Sequence, residues 1–106
     1  MDMESICFQI ITSVGSAKSC FIEAIGLAKK GAFEDAHKQI ADGDQFFLEG
    51  HHAHAELIAQ EADGTPVQMS LILTHAEDQL MSAETARIYA LEFIELYEKL
   101  NTKGLL

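Results

Sequence analysis

The sequence predicts an all-α fold, an antiparallel three-helix bundle in one domain spanning residues 1–106, and three observations carry that prediction. One proline and no tryptophan in 106 residues are sparse for an all-β chain, whose turns recruit proline and whose strands favour aromatics. Apolar residues recur at alternating three- and four-residue steps over long stretches, the period of a helix that buries one face. Strong stop signals fall at Lys29-Lys30-Gly31 and Asp63-Gly64-Thr65-Pro66, dividing the chain into three long segments.

The first helix is predicted over residues 3–30. Cys7, Ile10, Val14, Ala17, Phe21, Ala24 and Ala28 form its seam, and Lys29 and Lys30 place cations at the negative end of the helix dipole. Gly31 then takes the left-handed closing conformation. The second helix is predicted over residues 32–62, opening on Glu34 and Asp35 and repeating Phe33, Ala36, Ile40, Phe47 and Leu57 on one face. Gly43 and Gly50 each cost about 1 kcal/mol relative to Ala inside a helix, but a small residue also lets a neighbouring helix come close. The third helix is predicted over residues 67–101, because Thr65-Pro66-Val67-Gln68 has the form of a capping box with Pro at the first helical position. The tail from Thr102 to Leu106 is expected to be loose. Helices of this length are each roughly 45 Å long, so short turns between them make a slender rod.

Charge and composition narrow the function. Seventeen acidic side chains against seven basic ones give a formal charge of −10, which repels nucleic acid phosphates and anionic headgroups, so neither DNA, RNA nor bare membrane is an expected partner. Asp2 and Glu4 stand where an export signal would carry Lys or Arg, and no stretch is expected to reach membrane-span length, so a soluble, cytoplasmic protein is expected. Cys7 and Cys20 lie 13 positions apart on one helix, roughly 20 Å, too far for a disulfide. They read as reduced core thiols.

On a wheel at 100° per residue, Met69, Ile72, Leu73, Ala76, Leu80, Ala83, Ala90, Leu91 and Ile94 of the third helix cluster on the side that packs within the chain. The opposite side presents Leu71, Thr74, His75, Asp78, Ser82, Thr85, Tyr89 and Leu96, with Asp78 the one charge among them. Either another copy of the chain covers this stripe or it is a mildly polar outer face, and the wheel does not decide between the two. His75 sits in its middle. Partly buried among Leu71, Ser82 and Thr85, its imidazole would be neutral with a free ring nitrogen, able to accept a phosphoryl group.

The other histidines make weaker sites. His51 and His54 share a face but no thiolate completes a zinc set, so His51, His52 and His54 read as solvated. Glu34 with His37 and Glu49 with His52 match the Glu-x-x-His pattern of di-iron bundles, yet both pairs lie on one helix, roughly 22 Å apart, whereas such sites draw them from different helices. Met69 and Met81 read as helix fillers.

The run Ser70-Leu71-Ile72-Leu73-Thr74-His75-Ala76-Glu77-Asp78-Gln79-Leu80-Met81 resembles the active-site segment of the IIA components of the lactose/cellobiose (N,N'-diacetylchitobiose) phosphotransferase system. Gly15-Ser16-Ala17-Lys18-Ser19, Ala28-Lys29-Lys30-Gly31-Ala32-Phe33, and His51 followed by Glu56-Leu57 extend the likeness over nearly the whole chain. The family motif commonly reads His-Ala-Gln-Asp-His-Leu-Met, from which Glu77 and Gln79 depart. The resemblance implies a homotrimer of three-helix bundles. It implies that His75 is phosphorylated as tele-phosphohistidine, and that Asp78 from each subunit meets at the threefold axis, where a divalent cation such as Mg²⁺ can be held. It implies a relay in which HPr donates to His75 and His75 passes the group to a cysteine of the cognate IIB component, with the membrane component IIC engaged indirectly. Thr74, Ser82 and Thr85 are candidate hydroxyls around the phosphoryl group. A histidine phosphotransfer domain of two-component signalling is the alternative, although it wants Lys and Gly where this chain has Asp78 and Gln79; a non-enzymatic helical adaptor is a third reading.

Overall fold

A computed structural model describes residues 2–106. It contains α1 (Met3–Lys29), α2 (Phe33–Ala62) and α3 (Leu71–Thr102), packed into a rod of 57 × 20 × 19 Å. The short connections make α2 antiparallel to both neighbours, so α1 and α3 run side by side in the same direction.

Each helix closes in the same way. At the end of α1 the Gly31 N–H donates to the Ala28 carbonyl and the Ala32 N–H to the Leu27 carbonyl, both at 3.0 Å. The pattern repeats at Gly64 and Thr65, and at Gly104 and Leu105. Gly31, Gly64 and Gly104 are the residues with positive φ among those described, at 81°, 93° and 71°, and glycine takes that conformation without a Cβ clash. The tail is therefore not simply loose. Leu105 is tied to Leu100, and the Leu106 side chain lies over Gly31.

The start of α3 differs from expectation. Thr65 to Ser70 are not helical; the Thr65 N–H donates to the Gln60 carbonyl at 3.2 Å, so this residue belongs to the closing turn of α2. Ser70 is the cap instead, with extended backbone and its Oγ accepting from the Leu73 N–H at 3.1 Å. Ser70→Ala should cost about 1 kcal/mol, read as a lower midpoint in urea with unchanged slope.

The core falls into two clusters. One joins Cys7, Ile10 and Val14 of α1 to Ala53 and Leu57 of α2 and to Leu73, Ala76, Leu80 and Ala83 of α3. The other joins Ala17, Phe21, Ala24 and Ala28 to Ala36, Ile40, Ala90 and Ile94. By length and apolar content α1 does reach membrane-span dimensions, contrary to the expectation from sequence, but its seam residues Cys7, Ile10, Val14, Ala17, Phe21, Ala24 and Ala28 are all buried in these clusters. Helix α2 runs unbroken through Gly43 and Gly50, both buried. A Cβ at Gly43 would lie 2.5 Å from Phe21 Cε1, and one at Gly50 would lie 2.6 Å from Val14 Cγ1, so the two glycines mark where α1 and α2 come closest.

Candidate functional site around His75

His75 lies in the second turn of α3, one turn beyond the Ser70 cap, with Asp78 a turn further on. Helical side chains lean toward the N-terminus, so the His75 side chain lies over the turn that begins at Leu71, near the helix end whose dipole favours negative charge. The structure corrects the expected surroundings. His75, Asp78 and Thr85 are exposed within one chain, and Leu71 is 88% exposed; only Ser82 is half-buried. A single rod has no element on that side to cover His75, because α1 and α2 both pack against the opposite face.

The three candidate hydroxyls separate. Thr74 Oγ1 donates to the Ser70 carbonyl at 2.9 Å, so its proton is committed to the helix start. Ser82 Oγ accepts from the Lys18 ammonium at 2.9 Å, leaving its own O–H free to donate. Thr85 makes no side-chain hydrogen bond among the described residues.

Two contacts of α3 with its neighbours are not visible in the sequence. Lys18 faces α3 and, with Gln79, Gly15, Ser19 and Ile22, lines an open groove between α1 and α3 of about 530 Å³. A signal existed, since Lys18 is the only basic residue before Lys29. Across the bundle, His54 Nε2 lies 3.0 Å from Glu77 Oε1, with side chains 19% and 39% exposed. His54 is therefore not a solvated residue, and Glu77 is held on the α2 side, away from His75. Arg87–Asp44 and His37–Glu98 bridge α2 and α3 further along, the first bidentate at 2.6 and 3.1 Å and the second at 3.2 Å.

The remaining assignments sort by burial. His51 and His52 are exposed, and the His51 ring stacks on Phe47 with centroids 6.2 Å apart. Met81 lies in α3 and is 65% exposed, whereas Met69, expected on the packed side of that helix, precedes it and is 55% exposed. Both cysteines are free thiols. Burial pushes the Cys7 and Cys20 thiols up from their ordinary range, and the charge of Glu77 adds to this at Cys7, those of Asp42 and Glu23 at Cys20. Raised thiols are poor nucleophiles at neutral pH. Among the described residues no three His, Cys, Asp or Glu side chains converge as a metal set.

The surface of this helical rod carries open grooves rather than an enclosed cavity among the described residues, and an exposed histidine stands near the start of α3. The chain belongs to the lactose/cellobiose-specific IIA subunits of the phosphotransferase system, whose family model matches residues 5–98. It is 44% identical over 99 residues to the lichenan-specific phosphotransferase enzyme IIA component of Bacillus subtilis, covering 93% of this chain and 90% of that protein. It is 32% identical over 92 residues to the lactose-specific EIIA component of Streptococcus mutans, covering 87% and 88%. Among solved structures, the cellobiose-specific enzyme IIA from Bacillus anthracis superposes with a TM-score of 0.93 at 41% identity, covering 98% and 96% of the two chains. The IIA(chitobiose) of the Escherichia coli IIA(chitobiose)–HPr complex superposes with a TM-score of 0.82 at 32% identity, covering 95% and 98%. The chain is thus a component of a sugar phosphotransferase relay, and the signalling-domain and adaptor readings are set aside.

Proposed function

We propose that this chain is the cytoplasmic phosphocarrier between HPr and a IIB component in the uptake of lactose-, cellobiose- or chitobiose-type sugars, with His75 as the carrier residue. The observation that carries the assignment is the placement of His75: an imidazole on a rigid helix, one turn from its capped start, with no hydrogen-bond partner among the described residues to occupy its ring nitrogens. In the first step the Nε2 lone pair of His75 attacks phosphorus. The P–N bond of the donor phosphohistidine breaks, its electron pair returns to the donor ring, and His75 gives up its other ring proton as the donor ring regains one. In the second step a IIB thiolate attacks, a P–S bond forms, the His75 P–N bond breaks, and the ring takes back a proton. The transition state is loose and most of the work is alignment, which suits a histidine fixed on a helix. The phosphoryl group adds about −1.5 to −2 charges, and the first-turn N–H groups of α3 favour that charge without binding it tightly. Incubation with phosphoenolpyruvate and the general phosphotransferase proteins should place one acid-labile phosphate per chain, located on His75 by tandem mass spectrometry; phosphate on another residue overturns the assignment.

The same reading extends to assembly. The outer stripe of α3 exposes Leu71 at 88%, Tyr89 at 59% and Leu96 at 49%, and burying it between three copies would cover His75 as one chain does not. Asp78, exposed and without an ion-pair partner among the described residues, would then meet its two counterparts on the threefold axis. One chain supplies one carboxylate, so the donor set fits a metal only when three copies meet, where hard oxygen ligands suit Mg²⁺ with several retained waters. Bound there, the ion would neutralise mutual repulsion of the carboxylates. Native mass spectrometry should show a species of three 11.7 kDa chains. Asp78→Leu should keep or raise the trimer's resistance to dissociation, because an apolar side chain removes buried like charges; dissociation of that variant to monomers contradicts the axial placement.

A further inference from the structure

Glu77 places a carboxylate two residues from His75, where the family motif commonly has Gln, and the structure gives it one partner. Its Oε1 lies 3.0 Å from His54 Nε2; an ionised carboxylate only accepts, so the imidazole N–H donates. No fixed cation competes for it. Residues 2–17 and 45–86, which build the core cluster beneath His75, contain no Lys or Arg, and Lys18 at their boundary is bonded to Ser82 on the side of α3 that meets α1. Side chains tie α2 to α3 at three places among the described residues: His54–Glu77, Asp44–Arg87 and His37–Glu98. Successive ties lie roughly 15 Å apart along α3. Only the first stands beside the turn that carries His75, and His54 is the most buried of the six side chains.

Residues two apart on a helix point to nearly opposite sides, so the pair stands behind His75 with the helix itself between them. Protein rather than water fills that gap, and a charge acting across it is screened less than one acting through solvent. The reach of this carboxylate shows at Cys7 on α1, whose thiol is raised first by burial and then by the Glu77 charge. A phosphoryl group brings about −1.5 to −2 charges to His75, and an unpartnered carboxylate behind the ring would oppose its arrival. The bond from His54 sets the positive end of an N–H against that carboxylate and holds its side chain in one place. It also fixes the rotation of this turn of α3 against α2. We propose that His54 is a positioning residue for phosphoryl transfer, which binds Glu77 on the α2 side and offsets its charge so that the turn bearing His75 can receive the phosphoryl group. This rests on the phosphocarrier reading above.

The test is the single-turnover rate of phosphoryl transfer from phospho-HPr, at saturating donor, to the intact protein and its variants. His54→Ala leaves the carboxylate without its partner and should slow transfer about 3- to 10-fold. Glu77→Gln removes the charge and should speed transfer by up to about threefold. With no charge left to offset, the combined His54→Ala, Glu77→Gln variant should stay within about twofold of Glu77→Gln alone. Asp44→Ala breaks the next tie along the rod; it should lower the thermal midpoint yet leave the transfer rate within about twofold of the wild type, which separates loss of stability from loss of positioning. Circular dichroism and native mass spectrometry check that all variants keep the fold and assembly of the wild type. Wild-type speed in His54→Ala, or a combined variant as slow as His54→Ala alone, overturns the positioning role while leaving His75 as carrier. A wild-type chain that takes up no phosphate on His75 overturns the phosphocarrier reading itself.

Discussion

His75→Gln is expected to abolish phosphate uptake from phospho-HPr, from about one acid-labile phosphate per chain to background, while leaving the fold unchanged. The two halves of that expectation have separate causes. The glutamine amide keeps polarity and approximate size but has no basic lone pair on nitrogen, because that pair is delocalised into the carbonyl, so no P–N bond forms. His75 supports no hydrogen bond among the described residues and belongs to neither core cluster, so the fold of each rod does not depend on the ring. His51→Gln and His52→Gln should label like the wild type, since both rings are exposed on α2 and lie on a different helix from the carrier. The measurement is label incorporated per chain alongside the thermal midpoint at one protein concentration, because an assembling protein's midpoint moves with concentration. Label retained by His75→Gln would remove His75 from the relay, and a collapsed midpoint would mean that the ring is structural.

The features legible in the sequence were those fixed by residues close together along the chain. The seam from Cys7 to Ala28 follows from helical period alone, and all seven of its residues are buried. Gly31 ends α1 because its neighbours require a left-handed residue there, a requirement local to four or five positions. Thr65 shows where local reading stops: the same residue can open a helix or close the previous one, and the choice went to the 3.2 Å bond back to Gln60. Contacts between helices were less visible still. That Lys18 reaches Ser82, or that His54 reaches Glu77, depends on how the rods are rotated against each other, and sequence separations of 64 and 23 leave no periodic trace. Whether another copy covers the α3 stripe is a question the helical wheel leaves open, and within one chain His75 is exposed.

Gly43→Ala should destabilise the protein although alanine is the better helix former, and Gly26→Ala should stabilise it. Both glycines lie in helix interiors, where replacing Gly by Ala contributes about 1 kcal/mol in favour of the helix. At Gly26 nothing lies within 4 Å of the added carbon, so the gain is realised in full. At Gly43 the added carbon would stand 2.5 Å from Phe21 Cε1, 2.9 Å from Cδ1 and 3.1 Å from Cys20 Cβ, where carbon atoms prefer about 3.5 to 4.0 Å. The Phe21 ring is fully buried among Ala17, Ala24 and Ile40 and has no solvent to move into, so α1 and α2 must separate by about 1 Å or the ring must leave its rotamer. Overpacking of that kind costs about 1 to 3 kcal/mol, which exceeds the propensity gain over most of the range and leaves a net loss of up to about 2 kcal/mol. For a chain of this size each kcal/mol moves the midpoint by about 4 to 8 °C, so thermal scans of the two variants at equal concentration should shift in opposite directions. A Gly43→Ala midpoint equal to or above that of Gly26→Ala would mean that the α1–α2 contact yields freely, and that Phe21 does not set the distance between the helices.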